Sequence, residues 1–167
     1  MLREKVRFQG GIVRWACTLS ILCGTVWAAD PPVVPLSVCE VVRELVALDG
    51  KTVAVVGRYS FRSAGRWIGE QVCDAPAAEP PQLWLVEDAK EAPLLPEPFE
   101  IDGPAMHKKF IDIARRTSLG KFRFGTPDYD RWAVVYGRVD ARKGEDAKKA
   151  PANLVIRGSG VIIFVTP

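Results

Sequence analysis

The strongest constraint on the fold is an alternating pattern of apolar residues between Thr52 and Phe61, in the sequence TVAVVGRYSF. Side chains two residues apart lie on the same face of a β-strand, so this period of two predicts a strand. A turn over residues 63–65 and the segment 66–72 then predict the second strand of a hairpin. The chain is therefore expected to fold around a sheet that starts with this hairpin.

Three further strands are predicted after the hairpin, at residues 82–87, 132–140 and 154–165. The last of them is long, and Gly158 and Gly160 inside it indicate a bulge that bends the strand. The stretch between the third and fourth strands contains several prolines, so it is expected to be irregular apart from one helix.

Two helices are predicted from apolar residues at helical spacing. The first covers about 38–48, where Ser37 and Glu40 have the spacing of a capping box and Gly50 suits the left-handed position after the helix. The second covers about 104–117, between strands three and four. The buried stripe of the first helix is assigned to Val38, Val41, Val42, Leu45 and Val46.

The order of the elements is helix, three strands, helix, two strands, and runs of adjacent strands favour an antiparallel sheet. Five short strands with internal glycines and a helix after the third are typical of an OB-like barrel. The predicted fold class is mainly β: a small five-stranded OB-like antiparallel barrel, with an N-terminal helix and a helix between strands three and four. Residues 37–167 are expected to form this single domain, in which residues 88–130 are an insert with a helix.

The first 28 residues have the composition of a secretory signal peptide. Basic residues precede an apolar stretch from Trp15 to Trp27, and small or aliphatic residues fit cleavage near Ala28. The stretch is too short for a stable membrane anchor, although an uncleaved anchor is the alternative. The mature protein is expected to be secreted or periplasmic, to contact the membrane only transiently through its signal peptide, and to begin with a Pro-rich lead-in at 29–36.

The formal charge of +3 belongs to this signal peptide, which contains one acid, Glu4, and four bases, Arg3, Lys5, Arg7 and Arg14. The mature chain is therefore electrically balanced. Because its overall charge has no excess of either sign, that charge does not indicate a polyanionic partner.

Two cysteines, Cys39 and Cys73, remain in the mature chain. An exported protein with two cysteines most simply forms one disulfide bond. Two buried thiols and a redox pair are the alternatives, and the absence of a CxxC spacing speaks against the redox pair.

Part of the chain resembles a group of uncharacterised, secreted bacterial proteins with an OB-like barrel and a paired Cys. The resemblance covers residues 37–87 and 131–165, and it implies export, the barrel and a bond between Cys39 and Cys73. It implies no catalytic residue, because no activity is known for the group. The motifs that carry it are SVCEVVRE (37–44), DGKTVAVVGRYSF (49–61), RWIGEQVC (66–73), QLWL (82–85) and YGRV (136–139).

Residues suited to catalysis or metal binding are scattered along the chain. His107 lies on the second predicted helix without the spacing of a metal or catalytic motif, so it is interpreted as packed at the edge of the barrel. Asp128 and Asp130 could bind a hard cation, but the pattern of a calcium loop is missing, and a solvated loop in which Asp130 caps the backbone or pairs with Arg131 is favoured. The protein is therefore predicted not to be an enzyme and to hold neither a cofactor nor a metal.

The loops that flank the usual binding face of an OB-like barrel are rich in basic residues. The first holds Arg58, Arg62 and Arg66 beside Trp67, and the second, residues 142–151, is also basic. These three arginines and Trp67 are the candidate binding residues, with stacking and charge attraction as their chemistry. The alternative is that both loops are ordinary solvated hairpin tips.

Three functions are compatible with these patterns. The leading hypothesis is a non-enzymatic binding or interaction module, with an envelope polymer or a protein as its partner. The second is an OB domain that binds a polyanion, and export favours an acidic glycan over an oligonucleotide. The third is a hydrolase with its site in residues 97–130. Two further tryptophans, Trp84 and Trp132, are interpreted as structural residues that fill the barrel core or pack under a helix.

Overall fold

A computed structural model describes residues 31–74, 81–120, 128–158 and 161–166. The predicted signal peptide lies outside these residues. Within this part of the chain, no helix is long and apolar enough to cross a membrane. The elements are β1 (Leu36–Ser37), α1 (Val38–Arg43), α2 (Leu45–Leu48), β2 (Thr52–Arg62), β3 (Gly65–Gly69), β4 (Gln82–Glu87), α3 (Gly103–Arg116), β5 (Tyr129–Ala141), α4 (Asp146–Lys149), β6 (Ala152–Ile156) and β7 (Val161–Phe164).

Five strands close into a barrel in the order β2–β3–β4–β6–β5, and β5 pairs back with β2. The predicted OB-like barrel with an N-terminal helix and a helix between strands three and four is confirmed. Among the five barrel strands, one pair departs from the antiparallel expectation, since β4 and β6 run parallel; outside the barrel, the short β1 also pairs with β2 in parallel. Strands β4 and β6 are joined by a long connection that includes α3 and β5, and only strands joined by a tight hairpin are obliged to be antiparallel.

Alternate side chains of the strands fill the barrel. Val55 and Tyr59 point inward from β2 and meet Val135 of β5, which confirms the period-two prediction for residues 52–61. Val38 and Val41 of α1 belong to the same cluster and are 0% exposed, so this helix plugs the barrel. Complete burial of a valine side chain stabilises a fold by roughly 1.5–3 kcal/mol.

The first predicted helix is divided into α1 and α2, which meet at Glu44. The predicted capping box forms: the Ser37 hydroxyl accepts from the Glu40 amide at 3.1 Å, and the Glu40 carboxylate accepts from the Ser37 amide at 2.7 Å. The assignment of Val46 to the buried stripe is wrong, because this side chain is 97% exposed. The break at Glu44 changes the phase of the helix, so beyond it Leu45 and Leu48 pack against the core while Val46 points away from it.

Helix α3 packs on the outside of the barrel, against β2 and β5. Phe110 and Ile113 are buried there with Ala54 and Val134, and Phe110 meets Trp132 edge-on with ring centroids 5.2 Å apart. The assignment of Trp132 to packing is therefore confirmed. Strand β2 is covered on both faces, by the barrel core inside and by α3 outside, which explains why it is apolar at consecutive positions.

The single bent strand predicted at 154–165 is two strands, β6 and β7, which both pair with β5. Val155 of β6 is opposite Arg138 of β5, and Val161 of β7 is opposite Tyr136. The chain therefore uses six residues from β6 to β7 to pass two residues of β5. A bulge of one residue would not interrupt the strand in this way. Gly158, with φ of +59°, supplies the expected bend, while Gly160 lies outside the described residues.

Candidate functional site

Two tryptophans lie side by side on the outer wall of the barrel. Trp67 of β3 is opposite Trp84 of β4, with ring centroids 5.5 Å apart and planes inclined by 37°. Both side chains are partly exposed. They face outward because the alternate residues Ile68 and Leu83 occupy the interior.

Two loops converge on Trp84. Gly65, the first residue of β3 after the turn from β2, lies so close that a Cβ there would come within 2.6 Å of Trp84 Cζ3. Arg142, at the start of the loop between β5 and β6, places its guanidinium 5.8 Å from the centre of this ring. Its Nε donates to Asn153 Oδ1 at 2.7 Å. We call Trp67, Trp84, Arg142 and Asn153 the tryptophan face, and it is bordered by the two loops that usually flank the binding surface of an OB-like barrel.

The position of Trp84 is set by packing. Its indole Nε1 is buried and has no hydrogen-bond partner among the described residues. Beside it, Gln82 Nε2 donates to the Lys149 carbonyl at 2.9 Å, which ties β4 to α4 in the second loop. Of the two structural positions expected for Trp84, the barrel core is not the one observed, because Leu83 and Leu85 take the inward positions of β4.

Only Trp67 of the four predicted binding residues belongs to this face. Arg58 and Arg62 project from the outer side of β2 towards the end of α3, and Arg58 Nη1 donates to the Ser118 carbonyl at 2.9 Å. Arg66 forms an ion pair with Glu87 of β4. The structure therefore does not gather the three arginines around Trp67.

Asp130 is the centre of a buried polar cluster on the outer side of β2. It lies in β5 and accepts from Ser60 Oγ at 2.6 Å and from Arg62 Nη2 at 2.7 Å, so the predicted solvated loop is wrong and the alternative of pairing with Arg131 is not observed. The cause is strand alternation, which places Arg131 on the opposite face from Asp130. Burial alone would raise the pKa of Asp130, but the bonds from Ser60 and Arg62 outweigh it and hold the pKa below its ordinary value of 3.8.

We expect the variant Asp130→Asn to lose stability at neutral pH and to show a flatter acid dependence. A carboxyl whose pKa is lowered by folding stabilises the protein above its unfolded pKa, and this contribution is lost as the pH falls through the folded pKa. The stability that Asp130 contributes is therefore lost as the pH falls below about 3.8. Denaturation of both proteins between pH 2 and 7 measures it, with Ser60→Ala as an intermediate case. Equal slopes for the variant and the wild type would contradict the prediction.

Two residues that a hydrolase site in 97–130 could use, His107 and Asp130, lie near opposite ends of α3. His107 is exposed in the second turn of this helix, whereas Asp130 lies against Gly120, beyond the other end of the helix. The expectation that His107 packs on the barrel is wrong, because Phe110 and Ile113 form the buried side of the helix. Across the described ranges, no group of three His, Cys, Asp or Glu side chains could hold a metal ion.

Cys39 and Cys73 form the predicted disulfide, with their Sγ atoms 2.00 Å apart. Next to it, the fully buried carboxylate of Glu70 accepts from the Cys39 amide at 3.0 Å. The same carboxylate accepts from Arg116 Nε at 3.0 Å and from Nη2 at 2.7 Å. Helix α1, the end of β3 and the end of α3 are therefore tied together at one point.

A charged cleft of about 210 Å³ lies beside this disulfide. Two of its cations are already paired, since Lys109 Nζ donates to Glu40 Oε1 at 2.6 Å and Arg116 binds Glu70. A ligand would have to displace these contacts to use either cation. The tryptophan face, whose aromatic surface is partly exposed, is therefore the better candidate for a binding site.

No protein-family model, no curated protein and no solved structure matches this chain. The resemblance to secreted bacterial proteins with an OB-like barrel stays a prediction. The candidate site consequently rests on the geometry of the tryptophan face.

Proposed function

We propose that this protein is a non-enzymatic binding module, secreted or periplasmic, that binds its ligand on the tryptophan face. The observation that carries the proposal is the pairing of Trp67 with Trp84 on the outer wall of the barrel. Barrels of this class bind extended ligands on that wall, between two loops that here lie next to Gly65 and Arg142. Export is proposed from the composition of residues 1–28.

The chemistry of the face favours an oligosaccharide from an envelope polymer. Indole rings offer flat apolar surfaces against which the C–H side of a sugar ring can pack. Arg142 and Asn153 lie next to these rings and supply hydrogen-bonding groups for hydroxyls, as binding sites that combine apolar walls with a few polar groups do.

A polyanion is the weaker candidate for this site. Arg58, Arg62 and Arg66 each have an acceptor within the protein, and an anion would have to compete with those acceptors. A neutral sugar does not have to compete with these acceptors, because its stacking on the tryptophan rings requires no free cation.

We expect Trp67→Ala to weaken oligosaccharide binding by about tenfold or more, the size of one lost aromatic stacking contact. The probes are chitohexaose and cellohexaose as neutral chains and polygalacturonate as an acidic chain, titrated into the mature protein by calorimetry. Phe164→Ala is the matched control, because Phe164 is a half-exposed aromatic residue outside the face.

Unchanged affinity in Trp67→Ala, or no binding of any probe at millimolar concentration, would contradict the proposal. Polygalacturonate binding that falls steeply with salt and is lost in the triple variant Arg58→Ala, Arg62→Ala, Arg66→Ala would favour the polyanion function instead.

A further inference from the structure

A second concave surface, separate from the tryptophan face, lies where β5, β7 and the segment after α3 meet. The groove has a volume of about 190 Å³. Its walls are largely apolar, and Leu119 and Phe164 in them are 44% and 50% exposed. Exposed apolar side chains that cluster in a concavity mark a binding surface more often than scattered ones do. The groove is lined by Leu119, Arg131, Trp132, Phe164, Val165 and Thr166.

Arg131 is the one charged residue among these six. Its guanidinium lies 5.6 Å from the centre of the Phe164 ring and 6.0 Å from that of Tyr129. A guanidinium that stacks on rings uses its flat face, while its N–H groups point outward in the plane and stay available for an acceptor. The stacking therefore holds the donors of Arg131 at the rim of the groove.

These donors have no carboxylate partner among the residues that the structure describes. The adjacent acid, Asp130, is on the other face of β5 and accepts from Ser60 and Arg62. Among the described residues, the groove thus combines an apolar wall with a cation that has no carboxylate partner, and its charge is complementary to a single anionic group.

We propose that this groove binds a small carboxylate with an apolar chain. The carboxylate forms a two-point contact with the guanidinium of Arg131, the geometry that Arg and carboxylate groups share. The chain lies against Trp132 and covers the exposed apolar surface of Leu119 and Phe164. The volume is below the range of about 300–1,000 Å³ for drug-sized ligands, so a short fatty acid or a small aromatic acid fits it.

The test compares octanoate with 1-octanol, which has a chain of the same length and no charge. We expect the wild-type protein to bind octanoate at least about tenfold more tightly, because a charged partner strengthens a hydrogen bond. Arg131→Gln should bring the ratio of the two affinities close to one and leave octanol binding unchanged. Arg115→Gln, a variant of the exposed arginine on α3, should keep the wild-type ratio. Binding is followed by the NMR shifts of the Leu119 and Val165 methyl groups.

Two further variants locate the site. Leu119→Trp should fill the groove and weaken both probes by about tenfold, and Arg131→Lys should retain only part of the octanoate preference because an ammonium lacks the planar fork. The proposal is overturned by equal affinities of the wild type for the two probes, by a ratio that survives in Arg131→Gln, or by no saturable octanoate binding below its micelle concentration. Binding that is lost in Trp67→Ala and kept in Arg131→Gln would assign octanoate to the tryptophan face and equally overturn it.

Discussion

The double variant Cys39→Ala, Cys73→Ala is expected to lose about 3–4 kcal/mol of its free energy of unfolding. The bond joins residues 34 positions apart and so restricts a large part of the unfolded chain. In the folded protein it holds α1 against the segment after β3, and α1 carries Val38 and Val41 into the barrel. Loss of the bond therefore acts on the unfolded ensemble and on the element that closes the core.

Urea denaturation of the wild type, with and without reductant, and of the double variant measures this effect. Reductant should bring the wild type to the midpoint of the variant and leave the variant itself unchanged. A variant with the stability of the oxidised wild type would show that the Glu70 contacts alone hold α1 in place. A variant still sensitive to reductant would show that the loss has another cause.

The variant Arg116→Met is expected to lower the free energy of unfolding by about 3–5 kcal/mol. Glu70 is 0% exposed at its side chain, and Arg116 is the cation that pairs with it. Without Arg116 the protein must keep an unpaired carboxylate away from water or rearrange to hydrate it. Either outcome costs far more than the loss of an exposed ion pair, which is worth about 0–1 kcal/mol.

Arg115→Met provides the control, because Arg115 is the neighbouring residue, with a side chain that is 77% exposed. We expect a change within about 0.5 kcal/mol for this variant. The double variant Glu70→Gln, Arg116→Met should recover part of the loss, since Gln can still accept from the Cys39 amide and carries no charge. If Arg115→Met and Arg116→Met were equally stable, the ion pair at Glu70 would have no special importance.

The elements of this fold that sequence predicts are those set by short-range physics. The alternation along β2 follows from strand geometry, and the capping box of Ser37 and Glu40 spans three residues. Each of these two patterns involves only residues that are close together in the sequence, so it can be recognised without knowing the rest of the fold. The barrel then follows from the order of the elements, since few arrangements of these strands and helices close a core.

The candidate site depended on contacts between distant parts of the chain, and these were not predictable in the same way. The partners of Arg62 and Arg66 are 68 and 21 residues away along the chain. A count of basic residues in one loop treats such side chains as free, although each is paired with an acid from another strand. The distribution of charge in a loop is therefore a poor guide to where an anion can bind.

The pairing of Trp67 with Trp84 was missed for a different reason. Strands β3 and β4 are joined by a segment too long to fix their register, which tight turns do for hairpins. The sequence signal that could have found this pair is the alternation of inward and outward side chains on either side of each tryptophan. Ile68 and Leu83 point inward, so their neighbours Trp67 and Trp84 must point outward and can meet once the strands pair.

The strand order of the barrel also governs when the protein can assemble during synthesis. Strands β2 and β3 and both cysteines of the disulfide have been synthesised once residue 73 is added, but β5, which pairs with β2 along most of its length, begins only at Tyr129. Likewise, β4 can pair with β6 only after the chain has been synthesised to Ile156. Until then β2 and β4 each have an unpaired edge, and open edges invite pairing with other chains. Nearly the whole chain must therefore emerge before the wall closes, and in the meantime its half-built edges must be kept from aggregating.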